Sequence, residues 1–145
     1  MSSPTQSFAN HARWQPLYHF FASPVTAIYA VYAITQVFGD PSKANIIHAL
    51  WAAAISAAVV SSRIMALTVQ NRIIRLEMRL RLQDVLSGEL LTRSKALSVR
   101  QLIALRFASD AELPALVERT LKGEFKNGKE IKAAIKDWQA DWLRA

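Results

Sequence analysis

The longest unbroken pattern in the chain runs from Ile46 to Leu86 and changes character half-way. Its first half, IIHALWAAAISAAVVSS, is apolar all round, and its second, RIMALTVQNRIIRLEMRLRLQDVL, is basic; neither holds a Pro or a Gly. A single helix is expected. The apolar half has too few charges for water and the basic half too many for lipid, so such a helix would leave a bilayer near Arg63. Its 41 residues would reach roughly 60 Å at 1.5 Å each, about twice the hydrocarbon thickness.

A second apolar run precedes it, from Leu17 to Phe38. Pro16 suits the start of an element, Pro24 is tolerated in an early turn with a kink, and Gly39, Asp40, Pro41 and Ser42 end the run. The predicted spans are 17–38 and 46–67. A connection of about seven residues, Gly39–Asn45, makes them antiparallel neighbours. Side chains in lipid gain nothing from hydrophobic burial against one another, so such a hairpin must close by tight packing. Ala22, Thr26 and Ala30 on the first span, and Ala49, Ala53, Ala57 and Ser61 on the second, recur every four residues and are the expected packing stripes, either within the hairpin or between two copies.

Beyond Arg63 the same helix carries two apolar stripes, Ile73, Leu76, Leu80 and Ile74, Met78, Leu82, Val85. Between them lie one strip with Arg72, Arg75 and Arg79 and another with Glu77, Arg81 and Asp84, in which Glu77 and Arg81 form a favourable i,i+4 pair. Two apolar faces predict two partners: the protein's own C-terminal region, and a second copy or the membrane surface. Ser87 and Gly88 stop the helix, and three shorter ones are expected. Ser98 with Gln101 reads as a capping box for Val99–Phe107, and Ser109 with Glu112 as another for a segment ending near Lys122, with Pro114 in its first turn and Gly123 beyond its end. Asn127 and Gly128 precede the third, Lys129–Arg144, whose Ile131, Ile135, Trp138 and Trp142 share a face.

Together these patterns predict an all-α integral membrane protein. It comprises a polar interfacial segment, 1–16, a two-span antiparallel hairpin, 17–67, and a helical region, 68–145, in which the second span continues as a long, coiled-coil-like cytoplasmic helix with a small helical tail. Charge sets the orientation. Of 18 Lys and Arg, only Arg13 and Lys43 precede Arg63, and of 11 acidic residues only Asp40 does, leaving 16 basic and 10 acidic residues in the remainder. Arg63, Arg72, Arg75, Arg79 and Arg81 fall within about 20 residues of the second span, which predicts a cytoplasmic C-terminus and, with two spans, a cytoplasmic N-terminus. The same five arginines are the candidate contacts to anionic headgroups or to a protein partner.

Chemistry is sparse. The chain has no cysteine, which excludes thiol chemistry, and no phosphate-binding glycine loop, nucleophile elbow or HExxH motif. Of its three histidines, His11 and His19 fall at one interface and His48 near the other, where they cannot share a metal. No catalytic, cofactor-binding or metal-binding residue, no cofactor and no small-molecule substrate is predicted. Lys129, Lys132 and Lys136 on one flank of the last helix raise a nucleic-acid reading, which the interleaved acids disfavour.

NHARW with Pro16 and His19-Phe20, RLEMRLRL at 75–82, QLIALRFASDAELP at 101–114 and EIKAAIKDWQADWLR at 130–144 resemble a family of small, uncharacterised two-span bacterial membrane proteins. The resemblance implies the bacterial inner membrane and no established activity. The function expected from all this is noncatalytic: a membrane-tethered interaction or scaffold protein that self-associates and whose tail meets a protein partner or anionic lipid. The alternatives are a membrane-anchored nucleic-acid-binding protein and an oligomeric channel or transport accessory subunit.

Overall fold

The computed structural model describes residues 7–8 and 14–141. Their regular secondary structure is entirely helical, with one isolated β-bridge and no strand among the described residues. Two compact units divide them, Trp14–Thr68 and the residues from Val69 onward; α2 (Lys43–Val85) contributes to both.

The first unit begins with a π-helical turn, Leu17–Ala22, that runs straight into α1 (Ser23–Gly39). Pro24 explains the change of register. It has no N–H to give to an α-helical acceptor, and the wider turn, in which the Ser23 N–H donates to the Tyr18 carbonyl, places Pro24 in the opening turn of α1, where no donor is required. The turn to α2 is shorter than the expected seven residues: α2 starts at Lys43, leaving only Asp40–Ser42 between the helices. The Ser42 hydroxyl accepts from the Asn45 N–H at 3.3 Å, and the Asn45 amide donates back to the Asp40 carbonyl at 2.8 Å, so the turn closes on its own polar groups.

Packing in the hairpin uses a different stripe on α2 from the one expected. Ala22, at the end of the π-helical turn, and Thr26 and Ala30 on α1 are half-buried, and the row continues to Ala33, which is 2% exposed. On α2, Ala49 is half-buried but Ala53, Ala57 and Ser61 are exposed; the covered positions are Ala49, Ala52 (2% exposed), Ser56 and Val59. The reason is geometric. A strict four-residue step advances about 40° past a full turn, so the row slides off the contact face, whereas alternating steps of three and four hold it there.

The second unit is built on the water-compatible half of α2. Ile74, Met78, Leu82 and Leu86 are buried in a single core with residues of α4 (Val99–Leu105), α5 (Leu113–Leu121) and α6 (Gly128–Ala134), among them Leu102, Leu105, Leu113, Val117 and Ile131. Among the described residues four short helices follow α2, not three. The additional one, α3 (Gly88–Ser94), starts at the glycine expected only to stop α2; Gly88 has φ +57°, which lets the chain reverse and re-enter a helix at once. The Ser98–Gln101 capping box forms as expected at the start of α4. The Ser109–Glu112 box does not. Glu112 instead accepts from the backbone N–H groups of Lys136 and Asp137 at 3.1 and 3.2 Å. The end of α5 closes as a Schellman motif: Gly123, at φ +77°, donates to Thr120 and Glu124 donates to Arg119.

The last helix is also shorter than its periodicity suggested. It stops at Ala134, and Ile135 turns extended. Two backbone bonds (Gln139 N–H to the Phe107 carbonyl, 2.7 Å; Ser109 N–H to the Asp137 carbonyl, 3.1 Å) strap the following residues across the α4–α5 turn, and Trp138 stacks on Phe107 with centroids 4.6 Å apart. Burying the Trp138 ring against Phe107 and pairing otherwise solvated backbone outweighs one more turn of helix. Residues 1–16 and Trp142–Arg144 carried several of the expectations above; of these positions 1–6, 9–13 and 142–145, with His11, Arg13 and Trp142, lie outside the described residues.

Candidate functional site

The five candidate arginines have different fates. Arg63 is half-buried, with its guanidinium carbon 5.6 Å from the centre of the Tyr18 ring, a cation–π contact inside the hairpin. Arg72 and Arg75 are exposed. Arg79 is half-buried and makes one long contact, 3.5 Å, to the Lys95 carbonyl. Arg81 departs from the expectation: it points into the second unit. Its Nε donates to Asp110 at 2.7 Å, and its two terminal nitrogens donate to the Arg106 and Ala108 carbonyls at 3.1 and 2.6 Å. It ties α2 to the turn after α4, and the anticipated partner, Glu77, is left exposed. Nothing in the local sequence marks this role, because two of its three acceptors are backbone groups.

Of the two apolar stripes on the basic half of α2, one is covered and one is bare. Ile74, Met78 and Leu82 belong to the core with Val85 against it, while Ile73, Leu76 and Leu80 are 51, 61 and 54% exposed. The bare stripe has Arg72 and Arg79 along one edge and Glu77 and Asp84 along the other.

The three lysines of the nucleic-acid reading do not form a row on one helix, since α6 ends before Lys136. Lys129 and Lys132 instead join Arg100 around an open cavity of about 480 Å³ floored by Ile103 and Ala104. Within the hairpin, Tyr29, Tyr32, Gln36, Asn45 and His48 line a cavity of about 230 Å³, in which the Tyr29 hydroxyl and His48 Nδ1 lie 3.3 Å apart. Trp14, Tyr18, His19 and Phe20 form an aromatic group at the start of the hairpin, with His19 edge-on to Trp14 and to Tyr18 at 5.0 Å. One buried cation, Arg106, pairs with Asp141 at 2.9 Å and lies over the Phe107 ring at 4.3 Å.

A family model described as a family of unknown function, DUF6526, matches residues 1–145, the whole chain. The chain belongs to this family. The resemblance to a family without an established activity is borne out, and DUF6526 membership assigns no residue a role. No curated protein and no solved structure matches the chain. Among the described residues of this DUF6526 protein, no three His, Asp or Glu side chains are grouped so as to hold a metal ion. What the geometry offers is surface: two helices with apolar side chains turned outward, and a bare apolar stripe edged by charge.

Proposed function

We propose that this DUF6526 protein is a noncatalytic membrane-tethered interaction protein, in which the Trp14–Thr68 hairpin anchors the chain and the unit from Val69 onward is the cytoplasmic binding part. The observation that carries this reading is the direction in which the two long helices present their side chains. Leu17–Gly39 and Lys43–Val85 each contain an apolar stretch long enough to cross a bilayer, and only 6% of each stretch is buried within the protein. Phe20, Phe21, Ile28, Val31, Leu50 and Trp51 stand mostly exposed, a surface that water would penalise and hydrocarbon would accept. The core helix of a soluble protein would be covered by its own chain.

Arginine distribution supports the sidedness: Arg72 and Arg75 follow the apolar stretch closely and remain exposed, where each contributes about 1 kcal/mol against anionic headgroups. The resemblance noted above supports the bacterial inner membrane. Two measurements test the proposal together. In membranes from expressing cells, the protein should stay in the pellet through high-salt and carbonate washes and be released by detergent. Because the chain has no cysteine, single Asp40→Cys and Glu89→Cys variants report sidedness directly, and an impermeant maleimide should reach them from opposite faces. A chain that is monodisperse without detergent, or two cysteines labelled from one face, rules the proposal out.

A further inference from the structure

The bare stripe on α2 repeats with the spacing of a coiled coil. Val69, Ile73, Leu76 and Leu80 follow one another at steps of four, three and four and are all more than half exposed. With Ile73 and Leu80 at the positions a and Leu76 at the intervening d, the flanking residues fall into register: Arg72 and Arg79 take g, and Glu77 and Asp84 take e. In a parallel, in-register pair of helices a residue at g faces the residue five places later in the partner. Arg72 would then meet the partner's Glu77, and Arg79 the partner's Asp84, both of opposite charge. An antiparallel pair would set g against g and e against e, arginine on arginine and carboxylate on carboxylate. Among the described residues, none pairs its charge with Arg72, Glu77 or Asp84, which leaves these side chains to serve this role.

We infer that residues 69–84 of α2 are a homodimerisation seam, occupied by the same seam of a second copy in parallel register. At the centre of the seam Ile73 at a is followed by Leu76 at d, the combination that favours two strands, and Gln83, exposed at the next d, marks where the apolar seam runs out. The covered stripe, Ile74, Met78 and Leu82, lies on the other side of the helix, so pairing leaves the core of the second unit intact. Little more than two heptads would hold two free peptides together weakly. The inference therefore rests on the membrane tether proposed above, which fixes both copies in one orientation and confines them to a surface, raising their effective concentration.

The test is disulfide crosslinking of the full chain in native membranes, with the washed pellet confirming insertion in each preparation. Ile73→Cys, Leu76→Cys and Leu80→Cys should each give a covalent dimer under mild oxidation, and Arg75→Cys, exposed but off the seam, should not. Crosslinking at Leu76→Cys should be lost when Arg72→Glu and Arg79→Glu are added. It should return when those copies are co-expressed with copies carrying Leu76→Cys, Glu77→Arg and Asp84→Arg. Equal crosslinking at Arg75→Cys, or no restoration by the charge-swapped partner, overturns the seam. Membrane-retained Leu76→Cys that is shielded from an aqueous maleimide yet never crosslinks overturns it in favour of burial against lipid. Protein that washes out of the membrane but still crosslinks along the seam refutes the tether and leaves the seam standing.

Discussion

Removing the Arg81 side chain should loosen the second unit far more than removing the carboxylate with which it forms its ion pair. In Arg81→Met the Asp110 contact is lost, but Asp110 is 62% exposed, and an ion pair that open to water contributes about 0.2–1 kcal/mol. The two bonds to the Arg106 and Ala108 carbonyls are different. They are charge-assisted and partly buried, at 3.1 and 2.6 Å, and bonds of that kind contribute about 1.5–3 kcal/mol each. Arg81 is itself 21% exposed, so water will partly replace it, and a total of about 2–4 kcal/mol is expected. At about 1.4 kcal/mol per tenfold, amide exchange around Leu102–Leu105 should quicken by roughly 30- to 1000-fold. The assay is hydrogen–deuterium exchange of the detergent-solubilised full chain. Asp110→Ala should change the same amides by less than about fivefold, and Arg81→Lys, which keeps the charge but cannot reach three acceptors with a planar fork, should fall between. Equal effects of Asp110→Ala and Arg81→Met, or no effect of either, would refute the assignment of the stabilisation to the carbonyl bonds.

Three further outcomes are expected. Gly123→Ala should destabilise the second unit by about 1 kcal/mol, read as a lower unfolding midpoint in denaturant, because φ +77° at the end of α5 is strained for any side chain even though space for the methyl group exists. Ala52→Leu should lower the thermal stability of the solubilised hairpin by about 1–3 kcal/mol, whereas Ala53→Leu should be nearly silent; equal effects would show that the contact face is misassigned. On α5, hydrogen bonding and charge attraction from Lys122, reinforced by Arg93, hold the Glu118 carboxyl below its ordinary value of 4.5. A carboxylate with a depressed folded-state value stabilises fully above 4.5 and loses that contribution as pH falls through the lower, folded-state value. The stability difference between the native chain and Glu118→Gln should therefore shrink on acidification below that point, as followed by thermal melts across pH, and a difference that grows would contradict the pairing.

Where the local sequence determines local structure, the sequence was sufficient. The continuity of α2 follows from a long stretch free of Pro and Gly, and the cap at Ser98 from its own box. The grouping of Ile74, Met78 and Leu82 on one face follows from helical spacing, though not that this face rather than Ile73, Leu76 and Leu80 is the covered one. Structure and local pattern part wherever a distant segment supplies the partner. Glu112 was expected to cap its own helix and is claimed by the backbone of Lys136 and Asp137. Ile135 and Trp138 kept a helical rhythm that the contact with Phe107 overrode. The small-residue stripe on α2 is not the contact within the hairpin for a subtler reason: alanines at 49, 53 and 57 are a real pattern, but which side of a nearly uniform Ala-rich helix meets its neighbour is decided by the opposing helix. Arg81 was legible as a basic residue near an apolar segment and illegible as a clamp, since carbonyl acceptors leave no mark in a sequence.

The pairing of Arg106 with Asp141 has a consequence for how the chain is made. Arg106 sits in the middle of the second unit with little access to water, and its counter-charge is synthesised only after α5 and α6 have been completed. Translation proceeds from the N-terminus, so both helices of the hairpin are made before the carboxylate that pairs with this guanidinium. Until Asp141 arrives this ion pair cannot form, so the contact that joins α4 to the segment after α6 is added only once that segment has been made. The order of synthesis thus places completion of the helical hairpin ahead of completion of the second unit.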